Sequence, residues 1–440
     1  MCSRSLSLAV LALAGACVRI GAYECADADA CSARPGGRCE STRYCSYPDG
    51  ECESGARYSS HAGPLANECT EPIAGSSSGS SSTSTTDAAS TTSSSSSSSD
   101  EGSTTNGPQP GTVLWSFTHD GGDGDDAFQA VAALSDGGFI VGGYQATAGQ
   151  GHDAFVARYT GPDADEWIVV RDYGGGLDNI DDLLFSPGGS VFVTGEHEPV
   201  SGTYQSWTGC FRAEDGGECW MEPTIGYTGR GIAYGVDSLV VVAGANTPLA
   251  DGFVSVRYAW GQLAWEYVVD DADPLAALTV GSVKYVAGAH TDKLWLGSVD
   301  EAGVTDLAIV DGPAAGPDAI QQLGTDGETI VAVGYVATQT SRDGWIGAFA
   351  LDGGLLWQRS EGAVDLDEEL ESVVVDDAGI VYAVGYATDI DKDTWIATWT
   401  IDGEPGWARA DFEIGDGDDI ARDVVGSGDA ILMVGEARGA

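Results

Sequence analysis

A short apolar run ending in glycine recurs seven times along this chain. A strand-like run with a large aromatic follows each of the first six, and a Gly/Asp turn then leads to a run that usually opens with tryptophan. These observations predict an all-β fold, a seven-bladed β-propeller spanning residues 112–440. Ahead of it the sequence divides into an export signal (1–22), a small disulfide-rich module (23–73) and a disordered Ser/Thr-rich linker (74–111).

The repeat glycines are Gly143, Gly195, Gly244, Gly288, Gly334, Gly385 and Gly435, spaced by 52, 49, 44, 46, 51 and 50 residues. The aromatics that follow are Phe155, Trp207, Phe253, Trp295, Trp345 and Trp395. The next strand opens at Trp167, Trp220, Trp265, Trp357 and Trp407, with Leu307 in the fourth unit. Four β-branched and aromatic-rich runs in about 47 residues make one propeller blade. Blades closed into a ring leave no long open edge. The glycines are expected to let neighbouring blades approach closely and the aromatics to fill the wedge between them. The last unit supplies only residues 407–412, 420–425 and 431–435, while an orphan strand begins at Trp115. Pairing of Val113–Phe117 with that unit would close the ring, leaving the seventh blade without its aromatic strand.

Arg4 followed by the apolar run Leu6–Ala16 reads as a signal peptide, too short to cross a bilayer as a helix. No later run is continuously apolar for about 18 residues. Cleavage after Ala22 is one outcome. Lipidation of Cys17 is another, because Leu13-Ala14-Gly15-Ala16-Cys17 resembles a bacterial lipobox with Ala14 in the usual leucine position. Either outcome leaves an even set of eight cysteines, Cys25, Cys31, Cys39, Cys45, Cys52, Cys69, Cys210 and Cys219, free to pair in an oxidising space. The first six fall within fifty residues, too few to bury a sufficient core, so disulfides of open connectivity are expected to hold that module together. No Cys-x-x-Cys pair supports a zinc site there. From Ala74 to Pro110 the composition falls to Ser, Thr, Gly and a few acids, which cannot offset chain entropy by burial.

The net charge is −49, from 68 acidic and 19 basic residues. Such a surface repels phosphates, which argues against nucleic-acid partners and against any membrane contact except through a lipid anchor.

Three kinds of candidate site follow. Asp126, Asp178, Asp273, Asp318, Glu368 and Asp419 lead into the strand after each Trp-led strand, with Arg230 in that place in the third unit. A ring superposes equivalent positions, so these acids should form a circle near one face, either capping their own turns or attracting a cation or basic ligand. Calcium is the natural cation for clustered carboxylates. Asp120, Asp123 and Asp125, then Asp389, Asp391 and Asp393, then Asp416 and Asp418 are its candidates, though none forms an EF-hand and polar turns also explain them. Cys210 and Cys219 flank a hairpin turn and are expected to form a cross-strand disulfide. No catalytic motif is present: there is no Gly-x-Ser-x-Gly elbow, and His119, His152, His197 and His290 are scattered over different units.

Asp153-Ala-Phe-Val-Ala-Arg-Tyr159 and Leu351-Asp-Gly-Gly-Leu-Leu-Trp357 resemble the bacterial SBBP-type β-propeller repeat, and more loosely the Trp-containing blades of quinoprotein dehydrogenases. The resemblance covers about 325 residues and implies a propeller of a surface or secreted bacterial protein. The cysteine-rich and Ser/Thr-rich front end resembles bacterial surface lipoproteins. Neither vicinal cysteines nor a basic pocket supports a quinone, and no cofactor is identified beyond calcium. The expected function is therefore a non-enzymatic scaffold for binding or adhesion to a protein or glycan, with loops 145–153, 197–206 and 336–343 as its recognition surface. An extracellular glycan hydrolase and a structural envelope lipoprotein are the rival expectations.

Overall fold

The computed structural model describes residues 6–14, short segments between 38 and 70, and 111–438 apart from 120–125, 148–150, 162–163, 174–175, 201–202, 226, 247–250, 364, 389–390, 413–416 and 429. Two compact units divide the chain, one over 16–109 and the other joining 1–15 to 110–440. Among the described residues no helix is long and apolar enough to cross a membrane.

The first strand, β1 (Leu6–Ala14), belongs to the larger unit. The smaller unit holds a three-stranded antiparallel sheet of β2 (Arg38–Cys39), β3 (Cys45–Pro48) and β4 (Ala56–Tyr58), in which Cys39 and Cys45 are register partners. A disulfide joins Cys52 to Cys69. Cys25, Cys31, the lipidation candidate Cys17 and the linker residues 74–110 lie outside the described residues.

The larger unit is an all-β propeller. After β5 (Thr112–His119) come six four-stranded sheets, each made of strands consecutive in sequence. Blade 1 holds β6 (Ala127–Ala133), β7 (Phe139–Thr147), β8 (Gly151–Gly161) and β9 (Ala164–Arg171). Blade 2 holds β10 (Asp182–Phe185), β11 (Ser190–Val200), β12 (Thr203–Arg212) and β13 (Glu218–Ile225). Blade 3 holds β14 (Thr228–Tyr234), β15 (Leu239–Asn246), β16 (Asp251–Tyr258) and β17 (Leu263–Val269). Blade 4 holds β18 (Ala272–Val280), β19 (Val283–His290), β20 (Lys293–Asp300) and β21 (Gly303–Val310). Blade 5 holds β22 (Ala319–Thr325), β23 (Thr329–Ala337), β24 (Arg342–Ala350) and β25 (Leu355–Glu361). Blade 6 holds β26 (Glu368–Val375), β27 (Ile380–Thr388), β28 (Lys392–Thr400) and β29 (Pro405–Phe412).

The expectation of a seven-bladed propeller, with blade seven closed by the N-terminal strand at Trp115, is corrected here: six blades are built from their own consecutive strands, and the seventh unit forms no such blade. Trp407 belongs to β29 and completes blade 6, so the final unit keeps only β30 (Asp419–Ser427) and β31 (Ala430–Arg438). These join strands from the other end of the chain in a composite sheet of order β30-β31-β1-β5. The orphan strand at Trp115 therefore sits outermost, and the place of the missing aromatic strand is taken by β1, paired antiparallel with β31 from Leu6 opposite Arg438 to Ala14 opposite Ala430. An unbroken apolar run suits a short β-strand as well as it suits an export signal, so the same pattern serves both.

The repeat glycines act within each blade rather than between blades. The innermost strand carries a β-bulge in all but blade 2, with Gln129, Arg230, Leu275, Gln321, Glu371 and Arg422 as the extra residues. Asp181 holds the equivalent place just before β10. A bulge turns the local backbone out of its ladder, and here it drives a carbonyl toward the second strand. A Cβ at Gly143, Gly334 or Gly435 would lie 1.9–2.0 Å from the carbonyl oxygen of Ala127, Ala319 or Ile420. The other four repeat glycines meet the same carbonyl at 2.0–2.1 Å.

Between blades the tryptophans do the joining. The indole N–H groups of Trp167, Trp220 and Trp357 donate to the carbonyls of Ala213, Ala259 and Ile401 in the next blade, at 3.0, 2.9 and 2.8 Å. A turn glycine of that next blade lies over each ring: Gly216, Gly261 and Gly403. Leu307 replaces the tryptophan in blade 4 and meets Gly353 in the same way, keeping the contact while losing the hydrogen bond. The aromatics of the third strands, such as Trp207 and Trp295, are buried in apolar clusters that draw on two adjacent sheets.

Gly334→Ala should lower the unfolding free energy by about 3 kcal/mol or more, because backbone, not a movable side chain, occupies the Cβ position. Gly426→Ala, where a Cβ would meet nothing within 4 Å, should change it by less than about 0.5 kcal/mol. Urea unfolding of the two variants checks this, and equal effects would contradict it.

Candidate functional site

The innermost strands leave one edge facing the channel, and that edge carries backbone N–H groups that need partners. Side chains one residue past the bulge supply some of them. Asp182 accepts the N–H groups of Leu183 (2.8 Å) and of Ile232 in the next blade (2.9 Å). Asp423 accepts the Val131 and Val424 N–H groups, both at 2.8 Å, and the Ser372 hydroxyl at 2.6 Å, so it bridges the sheets on either side of its own. Asp182 and Asp423 also line a channel cavity of about 310 Å³, bounded further by residues such as Leu183, Thr279, Leu323 and Val424.

Above it lies a ring that repeat reading alone does not reveal. Arg230, Glu371 and Arg422 at their bulges, and Asp181 in the equivalent place, meet there, with Glu196 and Glu436 from the positions after repeat glycines beside them. Arg230 lies 3.5 Å from Asp181 and 3.9 Å from Glu196. Arg422 pairs with Glu371 at 3.0 Å and with Glu436, and Arg342 pairs with Glu369. Three of the residues after repeat glycines are tyrosines, each covered by a side chain from the start of the next strand. His152 stacks on Tyr144 with centroids 4.3 Å apart and planes within 5°. Arg342 lies 4.4 Å from the Tyr335 ring centre, and Lys392 3.7 Å from that of Tyr386. Cations over aromatic faces gain electrostatic attraction that desolvation strengthens.

Burial dominates the electrostatics. It raises the Asp181 carboxyl to about 7, with Glu196 adding to the rise and Arg230 and Asn179 opposing it. It raises Asp423 to about 6 and holds Asp182 well above the usual carboxylate range, the latter helped by the charge of Asp423. Burial opposes the charge on Arg422, but Glu371 and Glu436 outweigh it and hold the guanidinium protonated.

The acids that lead into the innermost strands accept backbone N–H groups, some in their own loop and some at the end of the second strand. Asp126 accepts the Ala146 N–H (2.7 Å), Asp318 those of Ala337 (2.7 Å) and Gly312 (2.8 Å), and Glu368 that of Ala363 (3.1 Å). Asp178 accepts the Tyr173 N–H at 2.7 Å and lies 2.5 Å from His197 Nδ1. These four and Asp419 are buried. Asp273 and Arg230 are not their equivalents. Asp273 stands two residues before its bulge rather than three, and Arg230 is itself the bulge residue.

Of the calcium candidates, Asp120, Asp123, Asp125, Asp389 and Asp416 lie outside the described residues. Asp391, Asp393 and Asp418 form no three-acid cluster among the described residues, and Asp418 accepts the Lys392 N–H at 3.1 Å. The one such cluster found there is Asp153, Asp172 and Asp178, with carboxylate oxygens within 4.8 Å of one another. Asp178 already serves Tyr173 and His197 in it. Cys210 and Cys219 are free thiols, the first buried and the second exposed. The expected disulfide is not formed here, but the two thiols lie within hydrogen-bonding reach, where a register shift sets Cys210 opposite Trp220 and Phe211 opposite Glu218. Burial and a hydrogen bond with Cys219 push the Cys210 thiol up to about 12.

No protein-family model and no curated protein matches the chain. Among solved structures it is similar to the WD40 β-propeller domain of Doa1, at 12% identity and a TM-score of 0.48 over 71% of this chain and 93% of that one. It is also similar to a protein from Lactobacillus plantarum, at 12% identity and 0.47 over 73% and 91%. A third is Sqt1 from Chaetomium thermophilum, at 14% identity and 0.43 over 68% and 76%. The class is that of the β-propellers, as the sheets themselves establish.

Asp423 and Asp181 titrate higher in the fold than in the open chain, where a carboxyl lies near 3.8. The fold therefore binds protons that the unfolded chain has lost, and its stability falls as pH rises from about 4 to 7, by up to about 3 kcal/mol for Asp423 alone. Asp423→Asn should flatten that slope. Chemical unfolding at pH 4.5 and 7 tests this, and an unchanged slope in the variant would refute it.

Proposed function

We propose that this chain is an exported surface or secreted protein whose propeller, of SBBP-type character, is a non-enzymatic binding scaffold. Its ligand engages the channel mouth. The observation that carries this reading is where the repeat breaks. Core positions keep the same residue character from blade to blade, whereas the bulge-type residues and those after the repeat glycines differ, and nine of those fourteen carry a charge or a phenol. Of thirteen basic residues after position 110, Arg230, Arg342, Lys392 and Arg422 gather at this mouth. In so acidic a chain, cations beside buried acids suit a ligand carrying both anionic and polar groups. The loops 145–153 and 336–343, which differ in length between units, flank the Tyr144/His152 and Tyr335/Arg342 pairs and support recognition there.

Export rests on the leader-like run and on the cysteine-rich, Ser/Thr-rich front end. The hydrolase alternative has one foothold, the Asp181 carboxyl, which burial keeps partly protonated near neutrality.

The test is retention of the labelled full-length protein on fractionated bacterial envelope, with and without calcium. The wild type should be retained by one fraction, and Lys392→Ala combined with Tyr386→Ala should weaken retention at least about tenfold, the equivalent of 1.4 kcal/mol. Equal retention of the two would remove the mouth as the site. Cleavage of a polysaccharide panel that Asp181→Asn abolishes would overturn the non-enzymatic reading.

A further inference from the structure

The opposite end of blade 3 carries a second departure from the repeat. Among the described residues, the turns between the third and fourth strands of blades 2, 4, 5 and 6 carry acidic residues: Glu214 and Asp215, Glu301, Asp352, and Asp402 with Glu404. Blade 3 turns instead through Ala259-Trp260-Gly261-Gln262, with no charge at all. Trp260 is 63% exposed. One face of its indole lies on the Tyr258 ring, with centroids 4.6 Å apart and planes within 6°.

This turn is held from several sides. Gly261 N–H donates to the Tyr258 carbonyl (2.8 Å), Tyr258 N–H to that of Gln262 (2.9 Å) and Ala259 N–H to that of Ser238 (3.0 Å). Arg257 donates to the Gly261 carbonyl at 3.2 Å, and the Trp220 indole to that of Ala259. Gly261 has a φ of +92° and rests on the Trp220 ring, so the turn cannot shift inward. A large aromatic is thus fixed outward where burying it would be favourable.

We propose that Trp260 is a stacking platform for a neutral pyranose, the recognition point for an uncharged glycan. A rigid flat ring with one face backed and the other open offers its negative π-face to the axial C–H groups of a sugar. Gln262 and Ser238, both exposed at the platform's edge, supply hydrogen-bonding groups for hydroxyls. Absence of charge in this turn matches a neutral sugar, and the acidity of the whole surface disfavours a uronate. A protein partner fits less well. Trp260 and the 80% exposed Val236 of the adjoining turn fall far short of the roughly 800 Å² per partner that a stable interface buries.

The proposal is independent of the channel mouth, so the two can fail separately. Titration of the full-length protein with maltohexaose, cellohexaose and mannohexaose, followed by tryptophan fluorescence and calorimetry, should show saturable binding of at least one. Trp260→Ala should weaken it about tenfold and Trp260→Tyr no more than about threefold, as loss or retention of a stacking face requires. Lys392→Ala with Tyr386→Ala should leave it unchanged. Thermal unfolding of Trp260→Ala should match the wild type, since the turn is held by backbone groups and by its neighbours. No binding of any neutral hexasaccharide, or equal binding by Trp260→Ala, overturns the proposal. So does a concentration-dependent dimer in sedimentation that Trp260→Ala abolishes.

Discussion

The contact on which the rest of this propeller depends is the approach of one carbonyl to one glycine in every unit. The innermost strand bulges, its carbonyl turns toward the second strand, and only a residue without Cβ can stand there. A methyl group at about 2 Å from oxygen has no rotamer by which to escape. At Arg230, Glu371 and Arg422 the bulge in turn supplies a side chain to the channel mouth, with Glu196 and Glu436, each after a repeat glycine, beside them. The element that fixes blade geometry is therefore the same element that presents the candidate site.

That coupling explains how so acidic a protein can gather charge of both signs at its axis. Burying a lone carboxylate or guanidinium is costly, and pairing offsets the cost only when the geometry is fixed. Arg422 lies between Glu371 and Glu436, each supplied by a neighbouring strand or sheet, and Arg230 between Asp181 and Glu196. Asp182 and Asp423 take a different course. They sit just inside the mouth, satisfy strand-edge N–H groups and accept a proton more readily than exposed carboxyls do.

Much of the fold was legible because its signals are periodic. The spacing of Gly143 to Gly435 and of Trp167 to Trp407 marks the strands, and the turn-capping role of Asp178, Asp318 and Glu368 follows from their place before a strand. Two things were hidden. The glycines mark bulges, which no pattern of apolar residues distinguishes from a crowded blade contact. The site consists of positions where the repeat fails, so aligning the units discards it as noise. The signal was nonetheless present: Tyr144, Tyr335 and Tyr386 each follow a repeat glycine directly.

Closure of the ring follows a different logic from the blades. Each of the six blades is a local structure whose strands follow one another in sequence, whereas the composite sheet joins β5 and β1 to β31, at the far end of the chain. Loop-closure entropy must be met before that pairing contributes anything. Blade-by-blade assembly can meet it, because blades 1, 2 and 5 each offer the next a tryptophan (Trp167, Trp220, Trp357) that seats against a turn glycine and donates to a turn carbonyl, and blade 4 offers Leu307 to Gly353. At the seam the same device recurs in modified form: Gly111 lies against Trp407, and Arg409 donates to the Gly111 carbonyl at 2.7 Å. The seam is thus fastened by side chains of the outer strands as well as by strand pairing, and Asp423 fastens it again at the axis by accepting the Val131 N–H of blade 1. A ring whose last junction is held at both its inner and outer radius can keep its channel mouth fixed even though that mouth is assembled from opposite ends of the chain.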